Sequence, residues 1–308
     1  MIEGQEDVTW DDWRALAGAC EEHGIETLFR SDHYLSVFGR GERGSLDAWA
    51  TLSALAAITS RLRLGTLVSP ATFRHPSELA KVVTTVDHVS GGGRVELGLG
   101  TGWHEAEHEA YGFPFPPMGE RMERFAEQLE LIPRQWGPGR VTFEGSHYRT
   151  RDLDARPKPL QRPHLIVGGR GGPRSIRLAG RYADEYNTVN KTAAECAAIR
   201  EQLDAACEQA GRDPIPLSLM TGWLAGADRA ELVDRAGRLA RWQGRDTDAE
   251  EFLAEQRDSS LAGTLDENIE RLHELAGAGV ERVMLQHLLH RDLDAVEQIG
   301  RRVAPAVA

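Results

Sequence analysis

Residues 62–99 decide the fold. The run Leu62-Arg63-Leu64-Gly65-Thr66-Leu67-Val68 is a buried, β-branched-rich strand, and Pro76 opens a helix whose face carries Leu79, Val82, Val83 and Val86. Gly91-Gly92-Gly93 then ends the helix, and Arg94-Val95-Glu96-Leu97-Gly98-Leu99 is a second strand. Two strands joined by a helix must run parallel, so this segment is one strand–helix–strand unit.

The same unit recurs in both directions. Before it, Thr9 and Asp12 form a capping-box signal, with Trp13, Leu16, Ala17 and Cys20 on one helical face and Gly24 as the stop. A strand over 25–29 follows, and Ser45 opens a helix carrying Trp49, Leu52, Leu55 and Ala56. After it come a helix over 119–136, strands over 164–167 and 184–189, and helices over 173–182 and 192–210. The last third has a strand over 215–220, helices over 229–241, 249–255 and 265–276, a strand over 281–287 and a helix over 293–303. With residues 1–4 as a short first strand the pattern predicts about eight βα units, hence one α/β domain over 1–308, a (β/α)8 TIM barrel. A doubly wound open sheet is the rival. Two segments depart from the unit, 111–118 and 137–163; the second carries a candidate hairpin at 141–143 and 147–149.

Of the 308 residues, 41% are hydrophobic and 27% charged, with no apolar run long enough to span a bilayer and no signal-peptide pattern at Met1. We expect a soluble, cytoplasmic protein. A formal net charge of −12 without a basic block argues against nucleic acid. Cys20, Cys196 and Cys207 have neither metal nor redox spacing and are read as buried small residues.

In a parallel barrel the chemistry collects just after the strands. Asp32 and His33 follow the second strand, and an imidazole with a pKa near neutrality serves as a general acid or base; the plainer reading is a polar loop. Gly168-Gly169-Arg170-Gly171-Gly172-Pro173 joins a strand to a helix, giving free amides, a positive helix end and the nearby Arg170 and Arg174, the requirements of a phosphate site. Gly98, Gly100 and Gly102 do not complete a dinucleotide fingerprint, since its last glycine would fall at Trp103. They admit a flat ring to the backbone, with Trp103 as a wall. His104, Glu105 and His108 satisfy the zinc pattern H-E-x-x-H, but the helix is short and no third ligand is evident, so a zinc hydrolase is a minor alternative and no metal is assigned. Phe73, Trp103, Phe113, Phe115, Met118 and Trp223 form an apolar lid or pack on the barrel rim.

The sequence resembles the luciferase-like flavin and deazaflavin oxidoreductases, particularly the branch that uses coenzyme F420. The likeness runs through Ser31-Asp32-His33-Tyr34, Arg63 to Pro70, Arg94 to Trp103, Gly119-Glu120-Arg121, Val167-Gly168-Gly169, Tyr182 to Asn187 and Gly279 to Val283. It implies a luciferase-type barrel with an insertion after the fourth strand, commonly a homodimer. It also implies a ring resting on a bulge with a non-proline cis peptide, at Leu67 and Val68, flanked by Ser69, Gly100 and Thr101. By the same resemblance Asp32 and His33 sit beside the ring, with His33 handling the proton, and Gly168 and Gly169 form the phosphate-binding turn, to which the loop reading adds Arg170 and Gly171. Hydride transfer between F420 and a small, fairly apolar substrate is expected. The alternatives are a monooxygenase using reduced FMN and oxygen, and a non-catalytic flavin-binding barrel. A sugar-phosphate dehydrogenase of this family has a catalytic glutamate where this chain has Trp103, which puts that substrate in doubt.

Overall fold

The computed structural model describes residues 1–38, 42–257 and 259–308. In chain order the elements are α1 Trp10–Glu22, β1 Thr27–Arg30, α2 Ala48–Ile58, β2 Arg63–Pro70, α3 Pro76–Ser90, β3 Val95–Gly100, α4 Glu105–Tyr111 and α5 Met118–Trp136. Then come β4 Val141–Glu144, β5 Arg149–Leu153, β6 His164–Gly168, α6 Pro173–Tyr182, β7 Glu185–Val189, α7 Ala193–Gln209 and β8 Leu217–Gly226. The chain ends with α8 Arg229–Trp242, α9 Ala249–Arg257, β9 Leu261–Thr264, α10 Leu265–Gly277, β10 Arg282–Gln286 and α11 Leu293–Gln298, running into a π-helical turn at Ile299–Val303.

Strands β1, β2, β3, β6, β7, β8 and β10 are neighbours in that order, each pair parallel. Residues Met1 and Ile2 close the ring between the last strand and the first. Met1 N donates to Leu285 O at 2.9 Å and His287 N to Met1 O at 3.0 Å, while Ile2 N donates to Phe29 O at 3.0 Å and Ser31 N to Ile2 O at 3.1 Å. Seven strands and this segment make the eight staves of a (β/α)8 barrel, which excludes the open doubly wound sheet.

Alternate strand residues face opposite ways. Outward-facing Leu28, Leu64, Leu97, Leu99, Val167, Leu217 and Leu219 share one core with Trp13, Leu52, Val83, Phe125 and Leu203 of the helices. Inward-facing Phe29, Leu67, Ile166 and Met284 fill the barrel, and Met1, Val68 and Met220 lie partly buried against them. At the amino-terminal end the buried Glu96 carboxylate accepts from Arg63 Nε at 2.7 Å and from Arg282 Nη1 at 2.8 Å; Arg282 also reaches Glu185 at 3.1 Å, and Glu185 meets His164 Nε2 at 3.0 Å. Glu96, His164 and Glu185 lie close enough to hold a cation, and the Arg282 guanidinium serves as that cation.

The Thr9/Asp12 capping box forms as expected, and His75 precedes the predicted Pro76 start. Asp47 rather than Ser45 caps α2, its Oδ1 accepting from Ala50 N at 2.8 Å. The predicted hairpin in the insertion forms as β4 and β5, covered by Leu131 and Tyr148. Strand β8 runs six residues past the predicted end at Met220, because β9, which the sequence reading missed, pairs with its far half from Trp223↔Leu261 to Gly226↔Thr264. Trp223 is therefore buried in the barrel wall and is no part of a lid. Among the described residues no helix is long and apolar enough to cross a membrane.

Candidate active site at the barrel mouth

The site begins at an irregularity in β2. Its pairing with β3 shifts between Thr66 and Ser69, and the Leu67–Val68 peptide is cis, at the position the resemblance implied. Leu67 drops into the barrel, while Val68 presses towards three glycines on neighbouring strands. A Cβ on Gly100 would lie 2.7 Å from Val68 Cγ2, one on Gly168 2.7 Å from Val68 Cγ1, and one on Gly98 3.0 Å from Val68 Cγ1. These contacts are too short for a side chain, so the glycines seat the bulge residue. The expectation that they admit a ring directly is corrected to that extent: Val68 takes the space, and with Met1 and Met220 it forms an apolar floor to the mouth.

Beside this floor Ser31-Asp32-His33 follows the end of β1. His33 Nδ1 lies 2.8 Å from Glu107 Oε2, whose carboxylate is fully enclosed and also accepts from the backbone N–H groups of Tyr34 and Leu35. Burial alone would lower the His33 pKa, but the Glu107 hydrogen bond and charge, helped by Glu3 and Asp32, raise it. Burial likewise opposes ionisation of Glu107, yet the His33 contact and the two backbone donors hold its pKa below the ordinary range. An ionised carboxylate only accepts, so Nδ1 carries the proton and Nε2 is left for exchange.

Asp32 is in a different position. Its carboxylate is fully buried, accepts from Arg74 Nη1 at 2.6 Å and Nη2 at 3.3 Å, and accepts from Ser69 Oγ at 2.6 Å. Trp49 Nε1 donates to Ser69 Oγ at 3.0 Å, and Arg74 also reaches Asp47 at 3.0 Å. Asp32 thus ties the end of β1 to the bulge of β2, with both oxygens committed, and Ser69 acts as the link.

Opposite the bulge, the turn after β6 is organised by Tyr186. Gly171 N donates to the Tyr186 hydroxyl at 3.0 Å, Ser175 Oγ lies 3.0 Å from that hydroxyl, and Gly169 N donates to Asn187 O at 2.9 Å. A Cβ on Gly169 would collide with the Tyr186 hydroxyl, and Gly171 has φ +83°. Gly172 caps α6 without a side-chain hydrogen bond, and its first turn holds no acidic residue. Two of the predicted phosphate amides are thus used within the turn, which leaves an uncapped, positively polarised helix end beside Arg170 and Arg174.

The loop after β3 carries Thr101, whose Oγ1 lies 3.4 Å from Gly102 O, and Trp103, which is 60% exposed. Trp103 stacks on His104 at 5.0 Å and meets His33 edge-on at 5.6 Å, so it walls the His33 side of the mouth. The zinc pattern is taken apart here. His108 Nδ1 lies 2.7 Å from His104 O and its Nε2 2.7 Å from Thr72 Oγ1, leaving neither nitrogen for a metal. Phe113 packs on Phe73 at 4.9 Å and Phe115 on His108 at 4.6 Å. Arg121 fastens this insertion, donating to Gly102 O and to Pro116 O and lying 3.9 Å over the Phe115 ring.

Glu107 is the residue that sequence reasoning missed. It lay inside the stretch scanned for zinc ligands, and its one available signal was an acidic residue on a short helix directly after the site loop.

The sequence model of the luciferase-like monooxygenase family matches residues 2–287. The chain belongs to this family. Among the curated relatives, the F420-dependent glucose-6-phosphate dehydrogenase of Microbacterium testaceum (strain StLB037) is 38% identical over 172 residues, 55% of this chain and 50% of the relative. The F420-dependent hydroxymycolic acid dehydrogenase of Mycobacterium tuberculosis (strain ATCC 25618 / H37Rv) is 31% identical over 229 residues, 74% of this chain and 62% of the relative. The chain therefore spans about half to two thirds of their length. An F420-dependent secondary alcohol dehydrogenase in complex with an F420–acetone adduct superposes with a TM-score of 0.81 at 21% identity, over 98% of this chain and 96% of that one. The oxygenating constituent of 3,6-diketocamphane monooxygenase from Pseudomonas putida, in complex with FMN, gives 0.74 at 18% identity over 97% and 93%. At these identities the two structures establish the shared barrel.

Proposed function

We propose that the chain is an oxidoreductase that moves a hydride between coenzyme F420 and a small organic substrate, with His33 as the acid/base. The carrying observation is the enclosed Glu107 held 2.8 Å from His33 Nδ1. The mouth fits the cofactor: Met1, Val68 and Met220 offer an apolar bed for a planar ring, while the uncapped α6 end with Arg170 and Arg174 suits an anionic tail. Gly168, Gly169 and Gly171 shape that end; Leu67, Ser69 and Gly100 seat the Val68 bulge beneath the ring, and Thr101 and Trp103 lie at its edge. When bound, the deazaflavin supplies a two-electron centre that gives or takes hydride.

The protein supplies orientation and a proton path. Glu107 fixes the His33 tautomer and ring angle, and His33 Nε2 gives or receives the substrate proton. Asp32, enclosed with Arg74 and Ser69, acts as a positioning residue for the strand end that carries His33. Trp103 and His104 wall the His33 side of the site. A homodimer and a cytoplasmic setting belong to the same proposal.

Use of reduced FMN with oxygen is the second reading, supported by the family's description and by the FMN-bound barrel among its structural neighbours. F420 is preferred because the glucose-6-phosphate and hydroxymycolic acid dehydrogenases, 38% and 31% identical, carry it in their names. His33→Ala tests the assigned role. We expect turnover to fall by ~10²–10⁴-fold with F420 affinity unchanged; unchanged turnover rejects it.

A further inference from the structure

Inside the mouth, one layer above Met1 and Met284, lies a carboxylate that the proposed chemistry does not use. Glu3 is 8% exposed. Its Oε1 accepts from Gln286 Nε2 at 2.6 Å and its Oε2 from Gln5 Nε2 at 2.8 Å. Gln5 is itself held through Oε1 by the Ser31 hydroxyl, two residues before His33. That contact turns the donor end of Gln5 towards Glu3, to which Gln286 also donates. Among the described residues no Lys, Arg or His nitrogen lies within ion-pair distance of Glu3. His33 is paired with Glu107.

A carboxylate is expensive to bury, and such groups are ordinarily matched by a cation. Most buried carboxylates of this chain follow that rule: Asp32 has Arg74, Glu6 has Arg43, Glu96 has Arg63 and Arg282, and Asp292 has Arg235. Among the described residues Asp87 lacks a cation but accepts three backbone N–H groups, from Gly93, Leu160 and Gln161; Glu3 has two side-chain amides alone and lies above the apolar floor of the mouth. We infer that Glu3 is a recognition residue for a cationic nitrogen, so that the substrate carries a protonated amine or related nitrogen cation beside an apolar body. The same charge repels a phosphate or carboxylate placed beside it.

This inference rests on the mouth being the active site, and it is testable without cofactor. Cyclohexylammonium, cyclohexanol and cyclohexanecarboxylate share one ring and differ in charge. Calorimetric titration of each into the full chain should show the ammonium binding roughly 10- to 100-fold tighter than the alcohol, with the carboxylate weakest. Glu3→Gln should erase that order and, by removing an unmatched buried charge, raise or preserve the melting temperature. Equal binding of the three probes, an ammonium preference that survives Glu3→Gln, or a lowered melting temperature in that variant would each overturn the assignment. Failure of F420 to bind would instead strike the proposed function and leave the charge preference intact.

Discussion

His33 Nδ1 and Glu107 Oε2 lie 2.8 Å apart, across 74 residues of chain, and this contact joins the end of β1 to α4. It converts an imidazole at a strand end into one of fixed tautomer and raised pKa. Glu107→Gln keeps an acceptor for the Tyr34 and Leu35 amides but removes the charge. We expect the His33 pKa to move down towards its ordinary value, and the pH limb of kcat/KM that reports His33 to move to lower pH with it. NMR titration of the His33 ring measures the first effect and the pH–rate profile the second.

The same pair sets a pH window for stability. The raised His33 pKa makes its contribution complete below the ordinary 6.5 and lost as pH climbs through the raised value. The lowered Glu107 pKa makes its contribution complete above the ordinary 4.5 and lost as pH falls through the lowered value. Urea denaturation should therefore show the largest gap between the native chain and Glu107→Gln between pH 4.5 and 6.5, about 1–3 kcal/mol, shrinking on either side.

Gly169→Ala forces its new methyl against the Tyr186 hydroxyl, which also holds Gly171 and Ser175. Cofactor affinity should fall by roughly tenfold or more, and stability by about 1–3 kcal/mol from overpacking. Tyr186→Phe should weaken cofactor binding in the same direction but less. Fluorescence titration with F420 compares the three proteins.

The barrel's polar base offers a test away from the mouth. Arg282→Met leaves buried Glu96 with Arg63 alone and Glu185 with His164 alone. Denaturant melts should show a loss of about 3 kcal/mol, with cofactor affinity little changed because the site lies at the opposite end of the strands.

Most of the barrel was legible because its signals are local. The alternation of β-rich and amphipathic segments, the Thr9 box, the Pro76 start and the glycine-rich turns each act over a few residues. What escaped depends on partners distant in sequence. Leu261–Thr264 is strand only because β8 continues alongside it, and Thr221-Gly222-Trp223 read as a loop for the same reason. Asp32 gives no sign of Arg74, which lies 42 residues on. Gly100 and Gly168 were recognised as site glycines, but the side chain they accommodate, Val68, comes from another strand. The zinc-like stretch misled through identity without geometry: His108 spends both nitrogens on neighbours, while Glu107 between the histidines is the residue that reaches His33.

The most direct measurement is a side-by-side titration of the purified chain with F420 and FMN, followed by ring fluorescence. The account predicts saturable binding of F420, weakened by Gly169→Ala, with FMN bound far more weakly. Tighter binding of FMN, or no binding of F420, would contradict it.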